Sequence, residues 1–363
     1  MKPKRLFFLD AVRAFAILMM LQGHFIDTLL NPIYRDSTHT AYNIWSYFRG
    51  ITAPTFFTIT GLVFVFLLLK AQEKGTEKQR IKKGLQRGIL LIIIGYALRF
   101  SFISLMYGKL NLNFLQVDVL QCIGLSLILL ILVYLMVFGN KALLAIVFLI
   151  LGFSIFVSEP LYRTLTIENM PVLFSNYLSL QNGSVFTILP WFGYVCFGGF
   201  IAILFSEFGN KNNYKQIKIT GFLLIGVFLI FFSSPTLKLL DDWFDLPLFT
   251  QSANYNYLFK RLGNVLVLFG VFYTFERYLK QAIITKIGQK TLSIYVIHFM
   301  IIYGSFIGIS LKYFFYKALT PAQAIFGAVI FMIVVCFISF YYVKTNTYLY
   351  RKIRSFYNRI TTG

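Results

Sequence analysis

Four ionisable side chains lie on one apolar stretch near the start of the chain: Asp10, Arg13, His24 and Asp27, within Phe7 to Leu30. With each helical residue turning about 100°, Arg13, His24 and Asp27 all fall within roughly 100° of Asp10 on the same side, so the four share one face. A carboxylate one turn from an imidazole can hold its tautomer and stabilise its charged form, which is what a general base needs. His24 and Asp27 are therefore a candidate acid–base pair. Asp10 and Arg13 form a candidate ion pair at i, i+3, with Arg13 roughly 16 Å from His24 along the axis at 1.5 Å per residue. Plainer readings stay open beside these. Asp10 and Arg13 can anchor a helix end that meets anionic lipid, and His24 can be satisfied by a neighbouring helix.

The element that holds these residues is a membrane span. Of 363 residues, 58% are hydrophobic and 13% charged, whereas an ordinary soluble domain carries about 25% charged residues. Spanning the hydrocarbon takes roughly 20 mostly apolar residues per helix, because each backbone amide must be bonded within its own segment. Ten such runs can be drawn, over 6–30, 42–69, 88–107, 116–137, 142–158, 185–206, 218–234, 256–276, 290–311 and 322–343. The expected fold is thus all-α: a polytopic integral membrane protein of about ten transmembrane helices. Outer-membrane barrels would instead alternate apolar and polar residues over about ten positions. Runs such as Gly88 to Tyr96 do not alternate. Asp10 and Arg13 interrupt the first run, which argues against a cleaved secretory signal.

Lys and Arg give the orientation, since short cytoplasmic loops hold the excess. With the N-terminus inside, 23 of the 34 basic residues fall on the inner side, at 2, 4, 5, 70, 74, 78, 80, 82, 83, 87, 141, 211, 215, 218, 277, 280, 286, 290, 344, 351, 352, 354 and 359. Both termini are then cytoplasmic, and residues 1–363 form a single transmembrane domain with a cytoplasmic loop at 70–87 and a basic tail at 344–363. The +21 net charge fits attraction to anionic lipid of the inner leaflet. The scattered basic residues make nucleic acid a poor partner. Cys122, Cys196 and Cys336 all fall inside expected helices, without a C-x-x-C or a Cys/His cluster, so neither a metal site nor a disulfide framework is indicated.

A charge at a helix centre costs about 2.5–3.5 kcal/mol on translocon scales, so each intramembrane polar residue is a candidate for function. Arg49, Arg99, Asp118, Gln121, Lys260, Arg261 and Asn264 lie toward the outer half of the second, third, fourth and eighth runs, and His298 is central in the ninth. Interfacial snorkelling is the alternative for Lys260 and Arg261, and core hydrogen bonding for His298. Arg49 and Arg99 are expected several residues inside their helices, facing a cavity or a carboxylate. Trp45, Trp191 and Trp243 are expected as headgroup markers.

The stretch from Phe8 to Met20, which contains Asp10 and Arg13, followed by Gly23-His24-Phe25-Ile26-Asp27, resembles the opening of the heparan-alpha-glucosaminide N-acetyltransferase catalytic-domain family in its bacterial form. The spacing from Arg13 to His24 is also similar to that of family three transmembrane acyltransferases. Arg49-Gly50-Ile51-Thr52-Ala53-Pro54, Leu189-Pro190-Trp191-Phe192-Gly193-Tyr194 and Leu292-Ser293-Ile294-Tyr295-Val296-Ile297-His298 fit the same resemblance in the same order. It implies a ten-helix core in a bacterial inner membrane. It also implies acyl transfer from cytoplasmic acyl-CoA, acetyl-CoA above all, to a hydroxyl or amine of an outer glycan or lipid-linked sugar. No permanently bound cofactor is implied, and a homodimer stays open. Lysosomal members carry the catalytic histidine in a loop after the first helix, where this chain has only His39. His24 is preferred because Asp27 stands at helical spacing from it. Two other classes compete: a transporter or flippase of a lipid-linked sugar, and a structural or sensory membrane protein, which would not need the Arg13, His24 and Asp27 face.

Overall fold

The computed structural model describes residues 6–100, 105–106, 112–207, 213–305 and 308–361, with side chains to 341. Helices stand at each of the ten expected positions: α1 Phe7–Leu29, α2 Thr40–Glu73, α3 Glu77–Arg99, α4 Val119–Met136, α5 Lys141–Val157, α6 Ile188–Glu207, α7 Asn213–Phe231, α8 Tyr257–Thr274, α9 Thr291–Tyr303 and α10 Pro321–Thr361. Six helices, all or part of α1, α2, α4, α6, α7 and α10, are long and apolar enough to cross a membrane, and α5 and α9 are shorter apolar helices. No strand occurs among the described residues. The chain is an all-helical polytopic membrane protein.

Side-chain ties show which helix ends lie together. On the basic side, Gln72 at the end of α2 donates to the Gly139 carbonyl at 2.9 Å, the Tyr134 hydroxyl donates to Glu77 at 2.8 Å, and Lys141 pairs with Glu73 at 3.1 Å. On the opposite side, the Tyr47 hydroxyl donates to Asn264 at 2.6 Å, and the Val117 amide donates to Ser184 at 3.0 Å. The end of α1 on this side is tied by backbone as well as by side chains. The Asn31 amide donates to the Leu319 carbonyl at 3.0 Å and the Leu319 amide to Leu29 at 2.9 Å, forming an isolated parallel bridge just before α10.

Packing between helices relies on small residues, because lipid tails are as apolar as leucine and association must come from close contact. A Cβ at Gly198 of α6 would collide with the Thr58 carbonyl of α2, and one at Gly61 of α2 would collide with the Val195 carbonyl of α6. These two helices therefore meet backbone to backbone. Trp191, expected at the headgroups, packs inward against Phe57 and Phe186, with centroids 5.0 and 4.8 Å away.

Three boundaries differ from the sequence expectation. The 70–87 loop is mostly helix, since α2 runs to Glu73 and α3 begins at Glu77. Its buried face, Gly84, Gly88, Leu91, Gly95 and Leu98, continues at helical spacing through the basic stretch. The third span consequently ends at Arg99 and not at 107. The ninth span stops at Tyr303, where Gly304 adopts φ +70°, a left-handed cap that glycine takes without penalty. At 13 residues, α9 covers about 20 Å at 1.5 Å per residue, short of a roughly 30 Å hydrocarbon core. Thirdly, the expected tail continues α10 as helix to Thr361.

Candidate functional site

The buried face of α9 consists of Ile294, Tyr295, His298, Phe299 and Ile302, one turn after another. It packs against α1, and the short helix places its imidazole beside that of His24. The ring centroids of His24 and His298 are 5.3 Å apart. His24 Nδ1 is 3.0 Å from the Tyr303 hydroxyl, which also lies 3.4 Å from the Thr28 hydroxyl of α1. His298 is 0% exposed, and neither of its ring nitrogens has a partner among the described residues. A buried polar group normally finds one, so orphaned nitrogens on both edges mark a position fit for a reacting group.

Asp27 faces another way. Its carboxylate pairs with Arg49 of α2, while Arg35 donates to the Asp27 carbonyl. The expected contact between His24 and Asp27 is thus replaced by two contacts across helices. Three residues at about 100° each leave the two side chains roughly 60° apart, so one turns to α9 and the other to α2. A guanidinium is also a stronger partner for a carboxylate than a neutral imidazole. Arg49 also lies over the Trp45 ring, 5.4 Å from its centroid, and Trp45 donates to Gln22 at 2.6 Å. This end of α1 and α2, opposite the basic side, gathers a carboxylate, a guanidinium, an indole and an amide.

Arg99 is the last residue of α3, not an interior one. It donates to Gln116 at 2.7 Å and to Asp118 at 3.1 Å. Asp118 is the N-cap of α4, and Gln121 completes a capping box, accepting from the Asp118 amide at 3.2 Å. Asp118 and Gln121 therefore spend hydrogen bonds on starting α4, Asp118 just before its first turn and Gln121 within that turn. Asn264 is held by Tyr47. Arg261 lies over Tyr257 at 5.0 Å, close to Gly50. Lys260 is exposed and is not brought to the histidines.

On the basic side, a cavity of about 350 Å³ runs between α1, α2, α3, α4 and the start of α9. Arg13, Arg80, Lys83 and Arg87 line its mouth, with Gln289 and Thr291 beside them. Further in, Met20, Phe56, Ile123 and Tyr295 make it apolar. The Tyr295 ring stands edge-on to His298, 4.8 Å between centroids. A cationic mouth opening on an apolar arm suits a phosphorylated donor with an extended thioester tail. Asp10 is buried next to this region, where its backbone meets Gly288 of the short helix Ala282–Gln289.

The structure therefore pairs His24 with His298, Asp27 with Arg49 and Arg99 with Asp118, and sets Arg13 in the cavity whose lining residue Tyr295 touches His298. Tyr303 and Tyr295 are site residues that sequence reasoning missed. Tyr295 was legible in one respect, as an aromatic one turn before His298. Among the described residues there is no group of three or more His, Cys, Asp or Glu positioned to hold a metal.

None of the curated proteins compared matches this chain. Residues 5–239 match the family model described as heparan-alpha-glucosaminide N-acetyltransferase, catalytic. The match covers α1 to α7, including His24, Asp27 and the cavity's arginines, and stops before α8 and α9. By this match over more than half its length, the chain belongs to the heparan-alpha-glucosaminide N-acetyltransferase catalytic-domain family, a family of membrane acetyltransferases.

Proposed function

We propose that the chain moves an acetyl group from acetyl-CoA, held in the basic-side cavity, to a hydroxyl or amine of a glycan or lipid-linked sugar at the opposite side. The basic side is the cytoplasmic one in this reading, in a bacterial inner membrane. The observation that carries it is the position of the His24 and His298 rings, between Tyr295 at the end of the cavity and the Asp27–Arg49 pair at the outer end. Two substrates can then reach one reacting centre from opposite faces.

The residues divide the work. Arg13, Arg80, Lys83 and Arg87 neutralise CoA phosphates. With Nδ1–H donated to the Tyr303 oxygen, His24 keeps its lone pair on Nε2 and takes the proton of the acceptor O–H or N–H. The new bond to the acetyl carbon forms as the carbon–sulfur bond of the thioester breaks, and the proton passes from His24 to the thiolate. His298 can donate to the oxygen that becomes negative on the way, at a position where water does not compete. Asp27 supports the imidazolium from one turn away, and Trp45 and Arg49 offer a face and a donor to a sugar.

Purified protein given radiolabelled acetyl-CoA tests this. Label should pass to an amino sugar or be released slowly as acetate. Label that stays on CoA under conditions where CoA binding is measured would overturn the reading.

A further inference from the structure

We infer a second, separate binding site in the membrane: a trough between α5 and α7, floored by α6 and α8, that holds one acyl chain of an anionic phospholipid. The trough encloses about 430 Å³ and shares no lining residue with the cavity of the donor. Phe153, Phe200, Phe222, Ile225 and Phe228 give it an aromatic and aliphatic wall. The Ser233 and Thr236 hydroxyls at its outer end donate to the backbone carbonyls of Leu229 and Phe232, leaving the interior dry. Apart from Lys218 at one end its wall is apolar, so the occupant binds mainly by apolar area.

Length and charge say which occupant. From Lys218 to Leu229 the trough follows α7 for about 16 Å at 1.5 Å per residue, close to the ~15 Å of one leaflet, half of the roughly 30 Å hydrocarbon core. The helix Ser233–Phe244 closes the outer end through Leu237 and Leu240. At the other end stands Lys218, its ammonium 4.6 Å from the Phe205 ring; Lys215, one turn before it, pairs with Glu276 at 3.4 Å, so Lys218 supplies the charge at this end. A trough of one leaflet's depth, closed at one end and cationic at the other, fits a phosphate headgroup above an acyl chain. Gly221 supports this, since a Cβ there would meet nothing within 4 Å. The glycine is not needed for helix contact and leaves space.

Native mass spectrometry of the purified chain in detergent, titrated with phosphatidylglycerol or phosphatidylcholine, tests the proposal. Wild type and Gly221→Ala should retain phosphatidylglycerol. Gly221→Trp, which fills the trough, should lower its affinity at least about tenfold, as displacing a few buried methylenes would. Ile225→Trp, one turn along, serves the same purpose if Gly221→Trp does not fold. Lys218→Ala should cost about fivefold for phosphatidylglycerol and little for phosphatidylcholine. Equal lipid retention in the tryptophan variants and wild type would overturn the proposal. So would a tryptophan variant that changes only the association of chains, which would make the trough an interface between copies.

Discussion

The imidazole of His24 on the first helix stands 5.3 Å, centroid to centroid, from that of His298 on the ninth. If His24 is the base, His24→Ala should lower turnover by about 10²–10⁴-fold with little loss of folded protein. His39 is exposed at the start of α2, and His39→Ala should leave most activity. Asp27→Asn should fall between them, because a charge near the imidazolium is lost while the amide still meets Arg49. A dead His39→Ala variant in a turnover assay would move the base to the loop before α2.

Tyr303→Phe removes the hydroxyl beside His24 Nδ1 and leaves the ring packed on Phe299 at 4.7 Å. Turnover should drop about three- to tenfold, the worth of one hydrogen bond, with KM for acetyl-CoA unchanged. A change in KM alone would mean that Tyr303 serves packing near the donor and not the histidine.

Substitutions at the cavity mouth should act on the donor. Arg13→Gln, and Arg80→Gln with it, should each raise KM for acetyl-CoA about tenfold through loss of a charge-assisted bond. Raising the salt concentration should weaken binding in wild type more than in the double variant. Steady-state kinetics with an unchanged kcat would support a role in binding.

Gly198→Leu should abolish folded protein, since even a Cβ there collides with the Thr58 carbonyl. A clash of backbone against side chain cannot be relieved by a rotamer change, and the loss should exceed about 4 kcal/mol. Size-exclusion profiles in detergent, with Gly221→Ala as a neutral reference, check this.

Orientation can be read with an impermeant thiol reagent. Cysteines at Ser37 and at the exposed Asp242 should react from outside intact cells, and one at Thr76, between α2 and α3, should not. Labelling at Thr76 would invert the topology.

Much of the architecture was legible because a membrane span must be long and apolar whatever it packs against. Partners across helices were not legible. Asp27 and His24 share a face, yet α2 and α9 divide them, and only packing says which neighbour each meets. Asp118 and Gln121 do carry a local signature, an Asp-x-x-Gln capping box, which reads as a helix start once the span is not forced to begin before it. Tyr303 has no local mark, for its role depends on where Gly304 stops α9.

The parallel bridge between Leu30 and Leu319 has a kinetic meaning for any enzyme built on this frame. Main-chain bonds to the segment leading into α10 are made at Thr28, Leu29 and Asn31, one to four residues from Asp27. Their helix end then cannot swing aside without breaking these main-chain bonds, so the reacting groups are held in line before the acceptor arrives. Whatever opens to admit an acceptor must be a different wall, and the amide protons of Asn31 and Leu319 should be among the last near the site to exchange with solvent.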